Sequence, residues 1–259
     1  MMIRIFVMLV VLSVGPASAQ SFDLKNCMDI QYGAGQWTGW TAPGIGTDIG
    51  PALTRCLTTI KSTWGRGEIV VPPGNWLMRV PPSCNLLSGS TIRGYGSTGS
   101  AIIFSNSGIP GSVVALHWCG SQGYTGGGVR GASLILDRNL GETLAYGIML
   151  RGDSMFQPDQ MVFEDVIISA MPGSWWWEAL HIEGDARASP LGVRIASLNM
   201  VQLFASRNVA AYVSRAIGFT FTTVGCYAGR GLAGNWFWDA GTNINASYRA
   251  IVCDNKQVP

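Results

Sequence analysis

The residues of this chain best suited to chemistry recur in two short segments of similar pattern. Residues 148–153 read Ile-Met-Leu-Arg-Gly-Asp, and residues 180–185 read Leu-His-Ile-Glu-Gly-Asp, thirty-two residues later. If these segments are parallel strands in register, Asp153 lies over Asp185 and Arg151 over Glu183, at about 4.8 Å between strands. The candidate catalytic residues come from this pattern and its later copy: Asp153, His181, Glu183, Asp185 and Asp239.

The chemistry available to such a face is acid–base cleavage of a glycosidic bond. One carboxyl group would donate a proton while the other acts as base or nucleophile. One outward column would contain Arg151, Glu183, Ser214 and Asp239, with His181 beside it. The carboxylate oxygens also suit Ca²⁺, and with a basic residue as proton acceptor they would support β-elimination of a polyuronate. The third interpretation of this column is a row of solvent-exposed charged side chains, with arginine and glutamate paired.

Three consecutive tryptophans lie shortly before His181. They cannot all point inward on a strand, because successive side chains alternate between the two faces. At least one ring is therefore expected at the surface, where it could stack on a sugar. A loop folded over the flank of the protein, or a subunit contact, is the other interpretation. The candidate substrate-binding residues are Arg151, Trp175, Trp176, Trp177 and Arg187.

The elements that position these residues follow a repeat. Residues 129–136 resemble residues 193–200, and a strand of equal length at 162–169 lies midway between them. Residues 211–214 and 236–239 look like later copies of the acidic pattern. Two interleaved strand series with one period indicate stacked turns, each of which buries its apolar side against its neighbours. A β-sandwich is the alternative, although it gives no reason for a fixed offset.

An amphipathic helix over residues 48–64 is predicted before the first strands. Its apolar residues recur at helical spacing, and they are Ile49, Leu53, Cys56, Ile60 and Trp64. Asp48 and Pro51 suit the helix start, whereas Gly65 suits its end. One helix before many short strands looks like a cap on a stack.

The stretch after this helix carries a family resemblance. Residues 67–77 read Gly-Glu-Ile-Val-Val-Pro-Pro-Gly-Asn-Trp-Leu, and residues 90–96 read Ser-Thr-Ile-Arg-Gly-Tyr-Gly. Together with residues 32–35, they resemble the pectate-lyase superfamily, in the branch of the rhamnogalacturonases, polygalacturonases and phage tail-spike domains. The resemblance implies an all-β fold, a single-stranded right-handed parallel β-helix (a solenoid) with a short N-terminal capping α-helix. Residues 36–39 depart from the family pattern, and the polygalacturonase catalytic motifs are missing, which disfavours hydrolysis by that set.

Composition and termini indicate an exported protein. Residues 1–19 have a positive start, an apolar core and the cleavage pattern Ala-Ser-Ala, which predicts a signal peptide. Residues 20–259 would then form a single β-helix domain, secreted or periplasmic, with no membrane span in the mature chain. A net charge of +2 over 259 residues gives no electrostatic footprint for nucleic acid. The oligomeric state is not predicted.

The cysteine count favours disulfides. All 6 cysteines follow the predicted signal peptide, and an even number in an exported chain is typical of disulfide bonding. Cys226 and Cys253 are about one turn of the repeat apart, and Cys84 and Cys119 slightly more. These spacings predict two pairs, which leaves Cys27 with Cys56. Buried free thiols are the alternative.

Two functions follow from these patterns. The leading hypothesis is a secreted, polysaccharide-directed β-helix protein, either a pectate-lyase-like lyase or a glycoside hydrolase acting on an acidic glycan. The alternative is a non-catalytic β-helix for glycan binding, adhesion or a spike-like assembly. Polysaccharide is the expected partner in both, and Ca²⁺ is the cofactor that the acidic column would suit.

Overall fold

The computed structural model of the chain describes most of the residues after the predicted signal peptide. The described residues are 20–106, 111–120, 126–139, 144–152, 155–185, 193–204, 206–217, 220–227, 237–239, 247–249 and 251–254. The signal-peptide prediction for residues 1–19 concerns residues outside this set. No helix among the described residues combines the length and apolarity needed to cross a bilayer.

A helical pair forms the N-terminal end of the fold. Strand β1 (Gln20–Asp23) leads into helix α1 (Leu24–Tyr32), which the sequence did not predict, and helix α2 (Gly50–Trp64) follows. The predicted cap helix is therefore confirmed, two residues shorter at its start. The Asp48 carboxylate accepts the Gly50 N–H at 2.9 Å, and Gly65, with φ +75°, follows the last helical residue.

The remaining elements are short strands and one single-turn helix. In chain order they are β2 (Gly67–Val70), β3 (Gly74–Met78), α3 (Cys84–Leu87), β4 (Ser90–Arg93), β5 (Ser100–Asn106), β6 (Val113–Trp118), β7 (Gly127–Asn139), β8 (Ala145–Arg151), β9 (Met161–Ala170), β10 (Trp176–Glu183), β11 (Val193–Phe204), β12 (Ser206–Ser214), β13 (Ala216–Ile217), β14 (Thr220–Tyr227), β15 (Phe237–Asp239), β16 (Ser247–Tyr248) and β17 (Ile251–Asp254).

These strands form two parallel sheets between which the chain alternates. The larger sheet follows the order β1-β2-β4-β7-β9-β11-β14-β16, with β3, β5, β13 and β17 pairing beside this path. The smaller sheet follows the order β6-β8-β10-β12-β15. From β6 to β12 the chain changes sheet at every strand, so each return adds one strand beside the last. The fold is mostly β with parallel sheets, and this pairing excludes the antiparallel β-sandwich considered from the sequence.

The smaller sheet has the register that the repeat predicts. Leu180 pairs with Ile148, and Glu183 pairs with Arg151, at the predicted offset of thirty-two residues. The next strand continues the row, since Ala211 pairs with Leu180. These apolar residues are at most 1% exposed and form part of one continuous core with the larger sheet.

The larger sheet differs from the predicted register. Val129 pairs with Phe163, and Phe163 pairs with Leu198. The predicted equivalence of residues 129–136 with residues 193–200 is therefore wrong by five positions. An irregularity between Ile195 and Ser197 accompanies the change, and likeness of sequence did not reveal it.

A left-handed corner occupies the same row in four strands of the larger sheet. The corner residues are Gly131, Asp165, Met200 and Thr223, with φ of +58°, +51°, +53° and +58°. This conformation is uncommon for residues other than glycine. Its recurrence at one position shows that the corner, and not the residue type, is the repeated feature.

Disulfides fasten both the cap and the first strands. Cys27–Cys56 joins α1 to α2, and Cys84–Cys119 joins α3 to the segment after β6. Both pairs are as predicted. Cys226 is also disulfide-bonded, and the strand register places Cys253 directly beside it. No cysteine of the described residues is a free thiol.

Candidate functional site

The candidate site lies on the outer face of the smaller sheet, across β8, β10 and β12. Strand alternation directs Leu180 and Ile182 into the core, where they are 1% and 0% exposed, and leaves His181 and Glu183 on the opposite face. From Glu178 to Glu183 the pairing of β10 with both neighbours is regular and fixes the rows on this face.

A buried glutamate orients the histidine. The Glu178 side chain belongs to a residue only 5% exposed, and its Oε2 lies 2.5 Å from His181 Nδ1. Its other oxygen accepts a hydrogen bond of 2.8 Å from Asn208 Nδ2 on β12. A carboxylate can only accept, so Nδ1 must carry the shared proton, and Nε2 becomes the basic nitrogen whenever the ring is neutral.

A glycine of β8 lies beside the segment of β10 that joins Glu178 to His181. Glu178 and His181 are separated by two buried residues, Ala179 and Leu180, so the alternation of the strand is broken between them. Gly147 stands beside Ala179 on β8, where a Cβ would lie 2.5 Å from the Ala179 carbonyl oxygen. Only glycine fits there, so β8 can approach the backbone of β10 closely beside Ala179.

Two tyrosines enclose the imidazole. The ring of Tyr212 stacks on His181 at 4.8 Å between centroids and 11° between planes. The ring of Tyr146 meets the imidazole edge-on, at 5.6 Å and 82°. Burial, followed by the negative charge of Glu178, raises the pKa of the Tyr146 phenol, so this hydroxyl stays protonated through neutral pH.

Two arginines and His181 surround the second glutamate. Glu183 Oε2 lies 3.1 Å from Arg151 Nε and 3.5 Å from His181 Nε2, while Oε1 lies 4.0 Å from Arg215 Nη1. The predicted Arg151–Glu183 pair is thus present. Arg215 follows β12 at a left-handed corner with φ +52°.

His117 extends the site onto β6. Its Nε2 lies 3.2 Å from the carbonyl oxygen of Arg151 and holds the end of β8 in place. Burial lowers the pKa of His117, and the hydrogen bond to the Arg151 carbonyl oxygen offsets only part of this effect. The lowered pKa keeps the His117 ring neutral at neutral pH.

The predicted acidic residues are only partly brought together. The Arg151, Glu183 and Ser214 positions form one row, as predicted. Asp239 pairs with Val213 instead of Ser214, so it occupies a row shifted by one residue. Such a shift exchanges the two faces of a strand.

Of the two aspartates predicted to stack, Asp185 belongs to the described residues. Asp153 and the predicted ligand-binding Arg187 lie outside the described residues. Asp185 follows β10, and its backbone N–H lies 3.3 Å from Gln157 Oε1. Asp185 is partly buried at the edge of the site.

Of the three consecutive tryptophans, only the middle one is buried, as the alternation of side chains along a strand allows. Trp176 is fully buried, donates its indole N–H to the Ser169 carbonyl oxygen at 2.8 Å, and stacks on Phe104. It is a core residue and offers no face to a ligand, contrary to its assignment as a substrate-binding residue. Trp175 and Trp177 are partly exposed.

Several residues of the site were missed by the sequence reasoning. Extending the thirty-two-residue offset by two positions would have placed Tyr146 beside Glu178, as the structure does. Nothing in the sequence marks Asn208 or Arg215, because their roles depend on the register of β12. The missed residues are His117, Tyr146, Glu178, Asn208, Tyr212 and Arg215.

The site combines an imidazole oriented by a buried carboxylate, His181, with two arginines that can bind an anion, Arg151 and Arg215. No group of three or more His, Cys, Asp or Glu side chains that could hold a metal ion occurs in the described part of the chain. Comparison with known protein families, curated proteins and solved structures found no match to this chain.

Proposed function

We propose that the chain is an exported right-handed parallel β-helix protein that acts on an acidic polysaccharide. The two parallel sheets with alternating strands support the β-helix, because a chain that coils would add strands to its faces in this order. The resemblance of residues 67–96 to the pectate-lyase superfamily supports the same fold. Two disulfides and the predicted signal peptide support a secreted or periplasmic location.

The proposed activity is cleavage of a uronate-containing glycan by β-elimination. The observation that carries it is the hydrogen bond between buried Glu178 and His181 Nδ1, because it leaves Nε2 as an oriented base. Nε2 would take the proton from the carbon beside the uronate carboxylate. The electrons of that C–H bond form the new C=C bond as the bond to the leaving sugar oxygen breaks.

The neighbouring residues fit the other requirements of this elimination. Arg151 and Arg215 would neutralise the uronate carboxylate and thereby stabilise the charge that builds up on it as the proton leaves. The protonated phenol of Tyr146 would supply a proton to the leaving oxygen. Hydrolysis by a carboxyl pair is less well supported, since Glu178 is buried and both carboxylates contact the same imidazole.

The second candidate is glycan binding without cleavage. The stacked rings of His181 and Tyr212, with partly exposed Trp177 on the same strand, favour it, because flat aromatic faces suit sugar rings. Binding alone would need no oriented base, and the Glu178–His181 contact would then serve only stability.

The test is a panel of polyuronates and neutral glycans incubated with purified mature protein, with and without chelator. Ultraviolet absorbance of unsaturated products and reducing ends are both followed. The proposed activity predicts unsaturated products from an acidic glycan, lost in His181→Gln and retained in Glu164→Gln, a matched change on the larger sheet. Binding without any product would favour the second candidate, and neither binding nor product would overturn both.

A further inference from the structure

The Glu183 carboxylate stands where three nitrogen-bearing side chains converge. Arg151 approaches one of its oxygens at 3.1 Å, His181 approaches the same oxygen at 3.5 Å, and Arg215 approaches the other at 4.0 Å. A carboxylate held between two guanidinium groups is the arrangement by which proteins bind anionic ligands. Here the carboxylate is supplied by the chain itself.

The two glutamates of the site differ in how firmly they are held. Glu178 is buried, and both of its oxygens are hydrogen-bonded, so its removal from the site would leave Asn208 and His181 without acceptors. The side chains of Arg151, Arg215 and Glu183 are instead 59%, 37% and 24% exposed. Exposed ion pairs contribute at most about 1 kcal/mol, so Glu183 can turn towards solvent at small cost.

We propose that Glu183 is a built-in substitute for the carboxylate of an acidic sugar, and that a hexuronate ligand displaces it. Arg151 and Arg215 then form a site for one carboxylate at a time. The ligand exchanges one carboxylate for another of equal charge, so the charge on the two arginines stays balanced. A neutral sugar gains nothing from the exchange, and the site therefore selects for a uronate.

Displacement of Glu183 also changes the histidine. While Glu183 faces Nε2, both imidazole nitrogens face carboxylates, and only the doubly protonated ring can donate to both. Once Glu183 has left, Nε2 is open to the ligand. This inference rests on the same site as the proposed function and assigns Glu183 a role in selecting the ligand, not in proton transfer.

The test compares binding of trimeric uronates with that of their methyl esters by calorimetry. The probes are trigalacturonate, trimannuronate, triglucuronate and the fully methyl-esterified form of each. In Glu183→Gln the arginines lose their internal competitor, and affinity for at least one acid should rise about three- to thirtyfold, from two ion pairs of up to about 1 kcal/mol each. Affinity for the esters should not change.

Matched variants define the outcome. Arg151→Gln and Arg215→Gln should weaken binding of the acid, and Glu164→Gln, which removes a half-exposed partner of Arg130 on the larger sheet, should leave it unchanged. Acid binding that is unchanged or weaker in Glu183→Gln, or undetectable in both proteins, would overturn the inference. If the native protein cleaves no glycan but Glu183→Gln binds the acid more tightly, the inference stands and the proposed elimination fails.

Discussion

Replacing Glu178 by Gln is the most direct perturbation of the site, since it keeps the shape of the side chain and removes its charge. The native carboxylate accepts from His181 Nδ1 at 2.5 Å and from Asn208 Nδ2 at 2.8 Å. The amide has one accepting oxygen, so its NH₂ group must face one of these two donors. If the oxygen stays with Asn208, the NH₂ donates to Nδ1, and the proton of the neutral imidazole moves to Nε2. The base is then lost from the side that faces the ligand.

The magnitude follows from the bond that is lost. A hydrogen bond to a charged group contributes about 1.5–3 kcal/mol, so Glu178→Gln should lower the free energy of unfolding by about 2 kcal/mol. For a chain of this size, that corresponds to a fall in Tm of about 4–8 °C. Turnover should fall about a hundredfold or more, because general base catalysis contributes on this scale.

The assay is thermal unfolding together with the rate of unsaturated product formation. Glu164→Gln is the control, because its partner Arg130 lies at 3.6 Å and both side chains are half-exposed. Its Tm should change by less than about 2 °C, since exposed pairs contribute little. A Glu178→Gln protein with the Tm and turnover of the control would refute the assignment of Glu178 as the residue that orients His181.

Three further predictions concern the scaffold and the edges of the site. Cys27→Ser with Cys56→Ser removes a crosslink over 29 residues, and chain entropy predicts a loss of about 3.5 kcal/mol of stability, measured by denaturant unfolding. Burial lowers the pKa of His117, so its stabilising contribution is complete above about pH 6.5 and is lost as the pH falls towards the lowered value. In His117→Gln the free energy of unfolding should depend less on pH across that range. An unchanged dependence on pH would contradict the assignment. Trp176→Ala should cost about 3–5 kcal/mol of stability as a core truncation, whereas Trp177→Ala should cost less than about 1 kcal/mol and weaken glycan binding in calorimetry.

The helix and the smaller sheet could be predicted because their signals are local. Helix α2 shows in the spacing of Leu53, Cys56 and Ile60, all of which the structure buries. The register of β8 against β10 could be predicted because both strands carry the same residue pattern, at an offset of thirty-two residues. The Cys84–Cys119 pair could be predicted for the same reason, since its spacing is close to the repeat.

The rest depends on features that no local pattern encodes. The register of β11 follows from where its corner at Met200 lies, and the resemblance of residues 193–200 to residues 129–136 pointed to a different alignment. Asp239 also lies one position away from its predicted row, because it pairs with Val213 and not with Ser214. The role of Glu178 depends on Asn208, which the register of β12 brings beside it. These are consequences of packing between distant segments.

The left-handed corners have a consequence for how the chain tolerates changes in length. Between the corners at Gly131, Asp165, Met200 and Thr223 the chain covers thirty-four, thirty-five and twenty-three residues, yet the four residues remain in one row. Insertions and deletions are therefore absorbed within a single connection and are not passed to the next strand. The connecting segments are free to diverge in length and composition, while a one-residue insertion at a corner would exchange the two faces for the rest of that strand.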